Sequence, residues 1–310
     1  MFRRILVPLS GSEEAEQVLG HLVGLARWCN AELTLLHVLQ PTRSRVSGRQ
    51  VEYPDMLSDR AQSLVREYLA ELSAELGKLG VQARGASARG DVVDTVTSRA
   101  RAGGYDLIAV QTSGKGPLRR CLRGSTSDAI MVRSPLPVFV FNSRSTPESE
   151  MARRPASNLL VTLDGTSASE QALPLAHRLA RVGGLGVTLI RVVPEFAPWA
   201  PATDEGQRAG VISQDARRAC QDYLDRHASI LAESGIDVAT SVEFGRVASA
   251  ITSAQARLPD HLLTIASSLR GGFGRAIFGS VADEVVRAAC RPLLAVPSNR
   301  VTADLGPYVT

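Results

Sequence analysis

Short runs of consecutive apolar residues alternate along this chain with longer stretches in which apolar residues return every third or fourth position. Ile5-Leu6-Val7 and Leu107-Ile108-Ala109-Val110 are runs of the first kind. An unbroken apolar run suits a strand covered on both faces, as in a parallel sheet. The pattern predicts strands over 4–9, 33–38, 81–85, 106–110 and 137–141, then over 158–163, 187–193, 237–243, 262–266 and 292–296. Four helices fit between the strands of the first half. The clearest runs from about Met56 to Leu79, where Leu57, Ala61, Leu64, Val65, Tyr68, Leu69, Leu72, Leu76 and Leu79 mark one face. Its counterpart runs from about Val211 to Ser234. Strand–helix alternation with right-handed crossovers predicts an open, doubly wound (Rossmann-like) α/β layer with helices on both faces.

The pattern occurs twice. Arg4-Ile5-Leu6-Val7-Pro8-Leu9-Ser10-Gly11 aligns with Asn158-Leu159-Leu160-Val161-Thr162-Leu163-Asp164-Gly165, and Leu33–Val38 with Val187–Val192, both at an offset of 154. The offset is 155 for Gly90 with Gly245, Gly124-Ser125 with Gly279-Ser280, and Pro137 with Pro292. Each copy is long enough to bury its own core, so this is a duplicated domain. The domains are expected at 1–142 and 157–298, joined by a polar linker over 143–156 with Pro147 and Pro155, and followed by a loose tail at 299–310. Two irregular stretches, 40–54 and 194–209, read either as lids or as plain surface loops.

Composition narrows the class. With 310 residues, 44% hydrophobic and 21% charged, the chain reads as soluble and globular. No apolar run approaches the roughly 20 residues of a membrane helix. The start is too short in apolar residues for a secretory signal, with Glu13-Glu14 following at once. Cys29, Cys121, Cys220 and Cys290 lie far apart without CxxC spacing, which suits reduced thiols in the cytoplasm and no metal site. The net charge is +4, yet the only lysines are Lys78 and Lys115, and aromatics are 5%. A nucleic-acid surface needs clustered basic residues and, for single strands, aromatic platforms; the lone Arg270–Arg275 segment does not supply them.

The chemistry concentrates after the fourth strand. Gln111, Gly114, Lys115, Gly116, Gly124, Ser125 and Thr126 belong to a glycine-rich stretch that opens a helix. Glycines let backbone amides form an anion nest, and a helix start favours negative charge. The stretch reads equally as turn glycines with Ser125 as an N-cap.

On these residues the chain resembles, over both halves, the universal stress protein family. Its members begin with Ile-Leu-Val-Pro-x-Asp-Gly-Ser and bind ATP through G-x2-G-x9-G-[S/T]. The resemblance implies a five-stranded parallel sheet of order 3-2-1-4-5 in each half, with ligand at the β1/β4 crevice. It implies a first site formed by Pro8, Ser10, Val38, Val110, Gln111, Gly114, Lys115, Gly116, Gly124, Ser125 and Thr126. It implies a second site at Asp164, Val192, Gly279, Ser280 and Val281. The expected ligand is ATP with Mg2+. Gln111 stands for the first motif glycine and Ser10 for the aspartate. In the second half Ala266 and Leu269 replace two glycines, while Arg120 and Arg275 share one motif position. The first half is therefore the expected nucleotide binder and the second the impaired one. The alternative is an interaction scaffold with decayed sites, or an enzyme of the wider adenine-nucleotide group.

No P-loop, GxSxG elbow or metal-spaced histidine pair is present among His21, His37, His177, His227 and His261, which read as packing or surface residues. The resemblance allows at most slow nucleotide hydrolysis. Asp91 reads as the third helix's cap, and Asp106 likewise as structural. Val138-Phe139-Val140-Phe141 and Leu293-Leu294-Ala295-Val296 end their sheets with apolar edges. The family resemblance implies that these last strands pair, here within one chain as a pseudo-dimer, and leaves a homodimer and a protein partner open.

Overall fold

The apolar runs become the inner strands. A computed structural model of the chain describes residues 1–40, 43–46, 49–52, 56–112, 126–142, 156–194, 205–267 and 279–297. Two compact units divide it, Phe2–Pro155 and Ala156–Thr310 with Met1.

In the first unit the chain runs β1 (Arg4–Pro8), α1 (Glu13–Cys29), β2 (Glu32–Leu39), β3 (Arg43–Val46), β4 (Arg49–Glu52), α2 (Met56–Lys78), β5 (Ala83–Arg89), α3 (Val92–Ala102), β6 (Leu107–Thr112), α4 (Thr126–Arg133) and β7 (Val138–Asn142). Its parallel strands lie in the order β5-β2-β1-β6-β7. The second unit runs β8 (Asn158–Thr162), α5 (Ser167–Glu170), α6 (Leu173–Gly183), β9 (Gly186–Val193), α7 (Glu205–Glu233), β10 (Val238–Phe244), α8 (Val247–Arg257), β11 (His261–Ser267), α9 (Ser280–Ala288) and β12 (Leu293–Pro297). Its order is β10-β9-β8-β11-β12, again parallel. Each unit thus has the 3-2-1-4-5 order. Ile5, Leu6 and Val7 on β1 and Leu159, Leu160 and Val161 on β8 are fully buried, because each strand is flanked on both sides and covered on both faces.

Several elements differ from the sequence reading. β5 starts two residues later than expected and runs on to Arg89. Val81 is buried ahead of it, its amide bonded to Leu76 O, so it closes the helix end instead of opening the strand. The stretch 40–54 is not irregular throughout: β3 and β4 pair antiparallel as a hairpin. On α2, Leu69, Leu72 and Leu76 are buried, but Leu64 is 59% exposed and Leu79, past the helix end, 49%. α7 begins at Glu205, earlier than the periodicity suggested. The first helix of the second unit is broken into α5 and α6, with Pro174 in the first turn of α6. Proline has no amide hydrogen and clashes with the preceding turn, so a continuous helix is barred there. Asp91 caps α3 as expected, accepting from Asp94 N at 3.0 Å. Asp106 instead accepts from the amides of Arg3 and Arg4 at 2.7 and 2.9 Å and fastens the start of β1.

The duplication is written in the backbone torsions. Left-handed φ recurs at matched positions: Gly11 with Gly165, Asn30 with Gly184, Gly80 with Gly235, and Gly90 with Gly245. Asn30 (φ 51°) and Gly184 (φ 59°) each cap a helix C-terminus. Asparagine and glycine are the residues that tolerate this bend most readily.

Both units bury a histidine. His21 stacks on Phe141 with ring centroids 4.7 Å apart, and His177 Nε2 lies 2.9 Å from Ser234 Oγ. Burial holds the pKa of each below the ordinary imidazole value, helped at His177 by the charge of Arg181. The unfolded chain therefore binds more protons below about pH 6.5. Stability is expected to fall as pH drops from 7 to 5, and H177Q should flatten that slope for the second unit; denaturant titrations across the range check both. Among the described residues, no helix is long and apolar enough to cross a membrane.

Candidate functional site

Each unit opens a crevice at the carboxyl ends of its strands. In the first, β1 leads out to one side and β6 to the other, and a cavity of about 520 Å³ lies at that reversal. Pro8, Ser10, Val38, Val110, Gln111 and Thr126, which the resemblance placed at the first site, line it. Gly114, Lys115, Gly116, Gly124, Ser125 and Arg120 lie outside the described residues, as do Leu269 and Arg275 of the second half. His37, Gln40, Ser12 and Ser127 complete the polar part of the wall. Ser127 Oγ donates to Gln111 O at 2.6 Å and ties the start of α4 to β6. Gln111 leans toward α1, where its Nε2 donates to Gln17 Oε1 at 3.1 Å, so it flanks the cavity without closing it. Apart from His37, none of the described lining side chains is ionisable.

The second crevice has about the same volume, 520 Å³, but carries charge. It gathers Asp164, Val192, Gly279, Ser280 and Val281, all predicted, with Ala266 in the place of a motif glycine. Asp164 is engaged locally: its Oδ1 accepts from Thr166 N at 2.8 Å and Thr166 Oγ1 at 2.6 Å. Burial opposes its ionisation, but these hydrogen bonds outweigh burial and hold its pKa below the ordinary carboxylate value. Arg191 lies with its guanidinium 4.8 Å from the Tyr223 ring centroid and packs against Gly165. The α9 N-terminus, at Gly279, has no side-chain cap.

The two walls differ at equivalent positions: Ser10 and His37 in the first unit correspond to Asp164 and Arg191 in the second. What they share was missed from sequence. Tyr68 donates to Glu16 Oε1 at 2.8 Å, and Tyr223 to Glu170 Oε1 at 2.8 Å. The pairs join α1 to α2 in the first unit and α5 to α7 in the second. The signal was available, since Glu16 and Glu170 keep the offset of 154, and Tyr68 and Tyr223 that of 155.

One hydroxyl–imidazole–carboxylate row lies elsewhere. His261 Nε2 is 3.1 Å from Thr188 Oγ1, and His261 Nδ1 is 2.8 Å from Asp260 Oδ1. It stands at the amino ends of β9 and β11, opposite the crevice, where it ties strands together.

The pattern of the universal stress protein family matches residues 1–142 and 156–297. A universal stress protein of Mycolicibacterium smegmatis is 23% identical over 304 residues, covering 94% of this chain and 96% of that one. A universal stress protein of Bacillus subtilis is 29% identical over 147 residues, covering 45% of this chain and 99% of that one. Among solved structures, a universal stress protein from Archaeoglobus fulgidus superimposes with a TM-score of 0.68 at 20% identity, covering 95% of this chain and 96% of that one. The duplicated sequence, the strand order in both units and these matches agree: the chain belongs to the universal stress protein family, with one copy of the domain in each half.

Proposed function

We propose that this protein is a cytoplasmic stress-response regulator that binds one adenine nucleotide, ATP with Mg2+, in the crevice of its first half. The observation that carries the reading is the open cavity at the β1/β6 reversal, with the start of α4 on its wall. Its volume falls in the range of roughly 300–1,000 Å³ typical of small-ligand sites. Uncharged walls of Leu, Val and Ser suit a base and sugar, and the α4 start favours phosphate. In the second half Leu269 stands where the family motif has a glycine and disfavours close backbone approach to phosphate, so that half is read as the weaker nucleotide binder.

The test is direct. Freshly purified full-length protein is denatured and its supernatant run on an ion-exchange column. About one ATP or ADP per chain is expected, or, if nucleotide is lost in purification, a thermal shift on adding Mg-ATP. Neither released nucleotide nor a shift would leave the scaffold reading.

A further inference from the structure

The second crevice brings two opposite charges to its wall without pairing them. Asp164 stands just past the end of β8, and Arg191 lies on β9, the strand beside it. Asp164 is exposed and Arg191 half-buried, so a ligand in the crevice can reach both. The Arg191 guanidinium packs against Gly165, the residue next to Asp164, and lies over the Tyr223 ring. Among the described residues, neither side chain has an ion-pair partner. The first unit has Ser10 and His37 at the equivalent positions, so the two charges set the second crevice apart.

Both charges have capacity to spare. Hydrogen bonds from Thr166 keep the Asp164 carboxyl ionised near neutral pH, and both fall on Oδ1. An ionised carboxylate has about four acceptor sites over its two oxygens. A guanidinium has five N–H donors, and no acceptor among the described residues takes one from Arg191. Much of the remaining wall is aliphatic, with Leu163, Ile190, Val192, Val247, Ile251 and Ile265. The formal charges of the described lining side chains cancel, which gives a polyanion no net attraction. The complementary ligand carries one charge of each sign close together, on an apolar body.

We infer that the second crevice is a binding site for an α-amino acid with a large apolar side chain, whose carboxylate meets Arg191, whose ammonium meets Asp164, and whose side chain covers the aliphatic wall. Arginine suits the first role because its fork donates two parallel hydrogen bonds to a carboxylate. The inference goes beyond the nucleotide reading and holds or fails without it. The two crevices then serve different ligands.

Calorimetric titration of the full chain with L-leucine tests it. Binding is expected, with isocaproate (leucine without its ammonium) and isoamylamine (leucine without its carboxylate) each weaker by about ten- to a hundredfold, the worth of a hydrogen bond to a charged group. L-Alanine should bind at least about fivefold more weakly, because it leaves the aliphatic wall uncovered. Arg191→Gln should lose the same factor for L-leucine as removal of the carboxylate does, and Arg191→Lys should restore part of it. No binding of L-leucine at millimolar concentration, equal affinity for isocaproate, or unchanged affinity in Arg191→Gln overturns the inference. Asp164→Asn, which keeps an acceptor for Thr166, should remove the preference for L-leucine over isocaproate. The analogue series on the unaltered protein decides the matter even if a variant folds poorly.

Discussion

Leu6→Ala is expected to destabilise the first unit by about 2–5 kcal/mol, and Leu160→Ala to do the same to the second. Leu6 and Leu160 are equivalent residues, each with no exposed surface, on the strand at the centre of its sheet. Deleting their terminal carbons removes buried apolar area and leaves a void that neighbours on both faces cannot collapse into. For domains of this size the loss corresponds to roughly 5–20 °C in melting temperature. Because each unit builds its own core, the two substitutions should move different parts of the calorimetric trace. Scanning calorimetry of both single variants and the double variant checks this. A uniform shift of the whole trace by either substitution alone would contradict separate cores.

Tyr223→Ala is expected to cost the second unit about 3–5 kcal/mol, and Tyr223→Phe about 1.5–3 kcal/mol. Tyr223 is 8% exposed, and its ring carries Arg191 on one side while packing edge-on to His227, 4.7 Å between centroids. Alanine deletes all of that; phenylalanine keeps the ring and deletes the hydroxyl with its bond to Glu170, whose carboxylate lies 3.4 Å from His227 Nε2. Burial, then the bond to Glu170, raises the hydroxyl's pKa well above that of free tyrosine. The unfolded chain would lose this proton near pH 10, so the contribution is complete below that value and is lost as pH rises above it. Tyr223→Phe should therefore soften the alkaline loss of stability, whereas a purely steric role for the ring would leave the pH profile unchanged. Urea unfolding between pH 7 and 11 measures both effects. Tyr68→Phe should behave in the same sense but weaker, since Tyr68 is only partly buried.

Where burial is two-sided, the sequence carries the fold openly. β1, β6 and β8 are legible as unbroken apolar runs because no face of those strands meets water, and β11 is interrupted only by the buried Thr264. β5 is harder to read because it is an edge strand of Ala, Arg, Gly and Ser, with its arginines exposed. Backbone pairing to β2 makes it a strand, and pairing leaves little trace in side-chain pattern. The hairpin of β3 and β4 escaped for the same reason. The helix break at Pro174 was legible in principle, and the repeat hid it: Gly20, its equivalent, sits inside an unbroken α1. The site followed a different rule. Family motif positions located the walls of both crevices, but what those walls do depends on partners brought from distant segments. Gln17 engages Gln111 across 94 residues, and Tyr223 engages Glu170 across 53. No spacing rule reports such pairs; comparison of the two copies reports the second, because Glu16 and Tyr68 repeat it, but not the first, because Ala266 stands at the equivalent of Gln111.

The matched left-handed positions have a practical consequence. Asn30 and Gly184 make the same bend with different residues, so the copies agree in shape more closely than in letters. Equivalent stretches can then be exchanged between them, strand for strand, without asking the main chain for any new conformation. The two copies are in effect castings from one mould, and what tells them apart is the helix break at Pro174 and the few side chains around each rim.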